Sequence, residues 1–179
     1  GVAAAAVVLQ IHYLFMSVHL GYQVGGMPLI SYYFGAKKFE KINQVLRYTK
    51  RYIIATSVSM AAMCAAGAPL IARVYAKPGT ELFDISVEGL RIVSVSLLVV
   101  GINVFVSGFF TCFGSGIISS LISLSRGLIM LIVGICLLSH FFGVPGTWMA
   151  LPFADITTLA LSFGMMAKFR KKYHYRMLG

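Results

Sequence analysis

The chain is poor in charge, and poorest in negative charge. Charged residues make up 11% of its 179 residues, with 15 Lys and Arg against 5 Asp and Glu. A soluble domain carries about 25% charged residues, so a water-exposed globule is excluded. Cysteine is scarce and odd in number. Cys64, Cys112 and Cys136 stand in separate apolar stretches, which excludes a complete disulfide framework and gives no metal-ligand spacing; they read as small buried hydrophobes. A P-loop, a dinucleotide fingerprint and a catalytic triad are also missing, so no catalytic residue and no metal or organic cofactor is expected. There is no initiating Met and no signal-peptide pattern, and the chain begins inside an apolar run at Gly1-Val2-Ala3. Sequence upstream is therefore expected.

What is present is apolar length. The chain is 59% hydrophobic with a mean hydropathy of +0.87, which indicates an integral membrane protein. Spanning a bilayer takes about 20 helical residues, and five stretches are long enough: roughly 2–34, 52–75, 92–113, 117–142 and 148–169. The first exceeds one span and is expected to tilt, protrude or bend, with Gly21, Gly25, Gly26 and Pro28 as the bending points. The expected fold is all-α: a polytopic bundle of about five spanning helices forming a single transmembrane domain over residues 1–179.

The connections differ in kind. Residues 37–51 hold Lys37, Lys38, Lys41, Arg47, Lys50 and Arg51 against one acid, Glu40. Phe39, Ile42, Val45, Leu46 and Thr49 recur at helical spacing, which predicts an amphipathic surface helix running into the second span. The next connection mixes signs, and Thr80 is the expected N-cap of the third helix. Gly114-Ser115-Gly116 reads as a tight turn and Gly143-Val144-Pro145-Gly146 as an uncharged loop. The tail carries Lys168, Arg170, Lys171, Lys172 and Arg176. By the positive-inside rule the first connection and the C-terminus lie in the cytoplasm and the N-terminus outside. The net charge of +10 follows from this distribution, so no nucleic-acid partner is expected, while membrane lipids are.

Charge at membrane depth costs at least about 2.5–3.5 kcal/mol on insertion scales and calls for an explanation. Arg126 falls in the fourth span and Asp155 in the fifth. With antiparallel helices rising about 1.5 Å per residue, the two lie within about 5 Å of one depth. One reading makes Asp155 a proton-linked or cation-attracting site tuned by Arg126; the other makes the pair a structural lock. On the first span His12, His19, Tyr22 and Gln23 share a helical face. They suit either a cavity for an amphipathic cation or interhelical hydrogen bonding. Asn103 lines that cavity or makes a structural polar contact. Gly101, Gly108, Gly127 and Gly134 are spaced for close helix packing.

The run Gly25-Gly26-Met27-Pro28-Leu29-Ile30-Ser31-Tyr32-Tyr33-Phe34-Gly35-Ala36-Lys37-Lys38 resembles a signature of the multidrug and toxic compound extrusion (MATE) transporters. Leu90-Arg91-Ile92, Gly101-Ile102-Asn103, Phe109–Gly116, Ser125-Arg126, Gly146-Thr147-Trp148 and Pro152-Phe153-Ala154-Asp155 extend the resemblance in order. Pro28, Ser31, Tyr32 and Gly35 stand as the family-motif loop. The resemblance implies a twelve-helix, two-lobe transporter, of which this chain is the last five helices, a partial C-terminal lobe lacking the N-terminal lobe. It further implies a multi-pass protein of the cell membrane that exports small cationic, amphipathic molecules by alternating access in exchange for protons or sodium ions. Some sodium-coupled members use an acid in the helix that corresponds to the third span, where this chain has Asn103. A lipid-linked-precursor flippase of the same superfamily and a truncated, non-transporting membrane protein are the alternatives.

Overall fold

The computed structural model describes residues 2–169; the basic tail from Arg170 onward lies outside the described residues. Among the described residues six α-helices follow one another: α1 (Val2–Gly35), α2 (Phe39–Tyr75), α3 (Glu81–Cys112), α4 (Gly116–Leu124), α5 (Met130–Phe142) and α6 (Val144–Phe169). A single π-turn, Ser125–Ile129, joins α4 to α5. Counted as membrane crossings, with α4, the π-turn and α5 as one, these are five helices long and apolar enough to span.

Several boundaries differ from the sequence expectation. Helix α1 runs unbroken through Gly21, Gly25, Gly26 and Pro28. The motif residues Pro28, Ser31, Tyr32 and Gly35 are thus helical and not a loop. A proline removes only one hydrogen bond from a helix, and apolar surroundings penalise any further opening of the backbone. The basic segment and the second span form one helix, as the spacing predicted. The loop at 143–146 shrinks to Gly143, at φ +63°, because α6 already begins at Val144. Pro145 then sits in the first turn, where its missing N–H would have had no partner in any case.

Two turns are closed in the same way. After α1, Lys38 N–H donates to the Tyr33 carbonyl (2.9 Å) and Lys37 N–H to Phe34 (3.0 Å), with Lys37 at φ +56°. After α3, Ser115 N–H donates to Phe110 and Gly114 N–H to Thr111, both at 3.0 Å, with Gly114 at φ +71°. Both are Schellman caps. Thr80 caps α3 as expected: its hydroxyl accepts from the Phe83 N–H at 3.3 Å.

Helix α3 is the hub, packed against α1, α2, α4 and α6. Glycines permit the approach. A Cβ at Gly89 would lie 2.9 Å from Val8 and 3.3 Å from Trp148, and one at Gly101 would overlap the His19 ring. Gly134 fits against Phe153 and Ala150 of α6, whereas Gly127 faces open space and takes no part in packing. Two apolar clusters form the core. One gathers Ala4, Val8, Cys64, Leu90, Leu97 and Trp148; the other gathers Ile30, Ile42, Phe105, Phe109, Phe110 and Met166. Between them along α3 and α6 lies a layer of buried polar side chains that includes Ser96, Asn103, Asp155, Thr158 and Ser162.

Candidate functional site

This polar layer follows from register. Asp155, Thr158 and Ser162 recur at helical spacing on one face of α6, and Ser96 and Asn103 on one face of α3. Packing α3 against α6 therefore zips the two faces together. The Ser96 hydroxyl donates to Oδ2 of Asp155. Asn103 donates through Nδ2 to the Asp155 backbone carbonyl (2.8 Å) and accepts through Oδ1 from the Ser162 hydroxyl (3.0 Å). Asn103 is thereby oriented at both ends of its amide.

The other carboxylate oxygen is different. Oδ1 of Asp155 has no hydrogen-bond partner, although the residue is only 2% exposed. Arg126 Nη1 stands 3.7 Å from it, close enough for charge attraction and too far for a hydrogen bond. The same Nη1 lies 3.4 Å from Met16 Sδ on α1. Arg126 sits on the π-turn, where the Met130 N–H reaches back to the Ser125 carbonyl. Such a turn inserts one residue into the helix and re-aims the side chains around it. Its 3.6-residue repeat is lost locally, so the guanidinium approaches Asp155 without a break in the span.

A small cavity of about 110 Å³ opens beside the pair, lined by Gln23, Asn103, Ser107, Ser123 and Arg126 among others. Gln23 packs across Gly108, where a Cβ would overlap its amide. The Ser107 hydroxyl is shared with Ser119 (3.0 Å) and Ser123 (2.8 Å). His12 is buried with Nδ1 unpartnered, near enough to Arg126 for the two to interact electrostatically. The structure thus brings Asp155, Arg126, Asn103, Gln23 and His12 into one neighbourhood.

Tyr22 does not join them. It turns toward α2, bonding to the Thr49 hydroxyl at 2.7 Å and stacking on Tyr52 at 4.3 Å. The expectation that Tyr22 and Gln23 share one cavity face fails because adjacent residues on a helix point about 100° apart. The motif residues lie away from the centre at the end of α1. Ser31 donates to the Cys112 carbonyl at 3.4 Å, Tyr32 is 65% exposed and Gly35 ends the helix. Ser96 and Ser162, which bind Asp155 and Asn103, and Ser107, which lines the cavity, went unnoticed in the sequence. Their only signal was helical spacing from Asn103 and Asp155. Among the described residues no group of His, Cys, Asp and Glu is arranged to hold a metal ion.

Five apolar helices, long enough to span and gathered around a buried, partly unsatisfied polar layer, mark a multi-pass membrane protein. The chain belongs to the MatE family, which it matches over residues 1–137. No curated protein matches it. Its fold is that of solved transporters. It superposes on an outward-facing multidrug resistance MATE family transporter of the MOP superfamily with a TM-score of 0.89 at 18% identity, covering 97% of this chain and 39% of that one. The Vibrio cholerae MATE transporter VcmN in its bent form gives 0.87 at 21% identity, with 98% and 40% covered. A MOP superfamily transporter from Pyrococcus furiosus, whose binding pocket is described as reversed in polarity, gives 0.88 at 17% identity, with 98% and 40% covered. The chain thus spans about 40% of the length of each of these transporters.

Proposed function

We propose that the chain is the greater part of the C-terminal lobe of a secondary transporter that exports cationic, amphipathic compounds in exchange for protons or sodium ions. It does so by alternating access, rocking against an N-terminal lobe. The observation that carries this reading is the Asp155 carboxylate: one oxygen fixed by Ser96, the other without a hydrogen bond. A buried carboxylate with a vacant acceptor has a use for a proton or a cation. Arg126 at 3.7 Å competes for it, so binding at Asp155 and the position of the π-turn are coupled. Neither enzyme chemistry nor a bound cofactor is needed; the driving ion is the only co-reactant. The basic start of α2 supports a reading in which the α1–α2 turn and the C-terminus face the cytoplasm across a cell membrane.

The test uses the full-length protein in proteoliposomes, with a fluorescent organic cation inside and an imposed proton or sodium gradient. Gradient-dependent loss of the dye is expected for one of the two ions; no dye movement under either gradient rules the proposal out. A second reading, carriage of an anionic lipid-linked substrate, is favoured by the Arg126 guanidinium lining the cavity. Competition by an anionic lipid pyrophosphate, with no response to the dye, would select it.

A further inference from the structure

A second cavity, larger than the one at the polar centre, lies elsewhere in the fold. A groove of about 850 Å³ runs between the N-terminal half of α2, the C-terminal third of α3 and the end of α6. This is within the range of about 300–1,000 Å³ typical of small-molecule sites. Its walls are apolar: Ile54, Ile102, Phe105, Val106, Phe163 and Met166. Its mouth is basic: Arg47, Lys50 and Arg51 line it, with Glu40 as the one acid. Arg47, Lys50 and Ile54 fall three and four residues apart, so one face of α2 passes from cation to hydrocarbon within two turns. All three cations are exposed, and none forms an ion pair with a described carboxylate.

We propose that this groove is a binding site for an anionic phospholipid, with its phosphate at Arg47, Lys50 and Arg51 and one acyl chain along Ile54, Ile102 and Phe163. The order of the surfaces argues for a lipid. A free phosphate has no use for the apolar walls, and an apolar protein segment laid here would cover three cations with one carboxylate to answer them, which is costly. A phospholipid meets both demands, and Lys and Arg at a span's end reach toward headgroups by extending their stems along apolar surface. Anionic lipid attracts such residues by about 1 kcal/mol each. The site stands on α2, α3 and α6 and is independent of whether Asp155 couples to an ion.

The full-length protein, purified in detergent, would be given equal amounts of phosphatidylglycerol and phosphatidylcholine with the same acyl chains, and the retained lipid counted by native mass spectrometry. Preferential retention of phosphatidylglycerol is expected. In R47Q/K50Q/R51Q the preference should fall by about fivefold for each cation removed, while R73Q/K77Q, at the other end of α2, should leave it unchanged. Ile54→Trp, which narrows the groove without touching charge, should lower retention of both lipids and keeps the test open if the triple variant fails to fold. Equal retention of the two lipids, an unchanged preference in the triple variant, or displacement of the lipid by sodium phosphate would each overturn the proposal. So would an absence of retained lipid, the result expected if a protein segment covers the groove.

Discussion

Helix α3 is flanked by two buried polar groups that are built on different principles. Toward α6 stands Asp155, a charged group with Ser96, Asn103 and Ser162 ordered around its backbone and one oxygen. Toward α1 and α2 stands His19, whose Nε2 lies 3.2 Å from the Ser57 hydroxyl and 3.3 Å from Thr56. Thr56 gives its own proton to the Tyr52 carbonyl at 2.8 Å, so toward the ring its oxygen can only accept. The His19 ring is held by hydroxyls on its Nε2 side and clamped by the bare backbone of Gly101, while its Nδ1, like Oδ1 of Asp155, is buried without a hydrogen-bond partner. The Asp155 group is built on a carboxyl, borders a cavity through Asn103 and faces a cation on an irregular turn. On the proposed function, the difference separates a polar contact that fastens helices from one that takes part in binding.

The sharpest way to break this comparison is to neutralise each group in the full-length protein. Asp155→Asn keeps the size and the contact with Ser96 while removing the charge, and transport is expected to fall at least about tenfold, the loss of more than 1.4 kcal/mol of coupling. His19→Gln keeps a polar group in place, and transport should stay within about twofold. Dye efflux normalised to protein in the membrane gives both numbers. Equal losses would erase the distinction between the two groups.

The next effect concerns Arg126. Removing one member of a buried pair leaves an uncompensated charge at a cost of about 3–5 kcal/mol when burial is complete. The cost here is smaller, because the Arg126 side chain is 22% exposed and stands 3.7 Å from its partner. Arg126→Gln is expected to destabilise the protein more in the wild-type background than in Asp155→Asn. Thermal unfolding in detergent of the two single variants and the double variant closes the cycle. Strict additivity would show that the guanidinium does not act on Asp155 at all.

How much of this was legible depends on what each feature does to an apolar sequence. The five spans, the continuity of α2, the Thr80 cap and the pairing of Arg126 with Asp155 all leave a mark, because a charge or a cap residue stands out against hydrocarbon. The π-turn leaves none. One extra residue among Leu124, Leu128 and Ile129 shifts the helical phase, but neighbours that are apolar on every side register no phase. Ser96 and Ser162 are equally silent, since serine is common in membrane helices whether or not its hydroxyl meets a carboxylate. The end of α1 misled in the opposite direction: Pro28, Ser31, Tyr32 and Gly35 read as a loop, yet a long helix in an apolar setting absorbs them.

Two glycines on α3 give a smaller and more selective effect. A Cβ at Gly101 would meet the His19 ring, which is 3% exposed and also has Ile53 at 3.1 Å from that Cβ. A Cβ at Gly108 would meet the end of Gln23, a flexible side chain beside the 110 Å³ cavity. Gly101→Ala is therefore expected to cost about 1–3 kcal/mol, as overpacking does, and Gly108→Ala less, because the Gln23 amide can swing aside. Gly108→Ala should instead disturb transport by pushing that amide toward Arg126. Melting temperature and efflux, measured together on both variants, separate the two outcomes. If Gly101→Ala melts like the wild type, the His19 group is not clamped.

The finest distinction lies between two serines of similar burial, Ser57 at 1% exposure and Ser96 at 0%. Ser57→Ala removes one hydroxyl from the His19 imidazole, which keeps Thr56 as a partner. Interhelical hydrogen bonds in membranes average about 0.6 kcal/mol, and a loss of that size is expected. Ser96→Ala removes the one hydrogen-bond donor on the Asp155 carboxylate and leaves both of its oxygens without one. Stranding a buried acceptor costs about 1–3 kcal/mol, and more when it is charged. That charge has a second way out: Asp155 can take up a proton, so the cost of Ser96→Ala should shrink as the pH of the unfolding assay is lowered, while that of Ser57→Ala stays flat. Parallel responses to pH in the two variants would mean that Ser96 does not hold an ionised carboxylate, and the contrast between the two sides of α3 would reduce to packing.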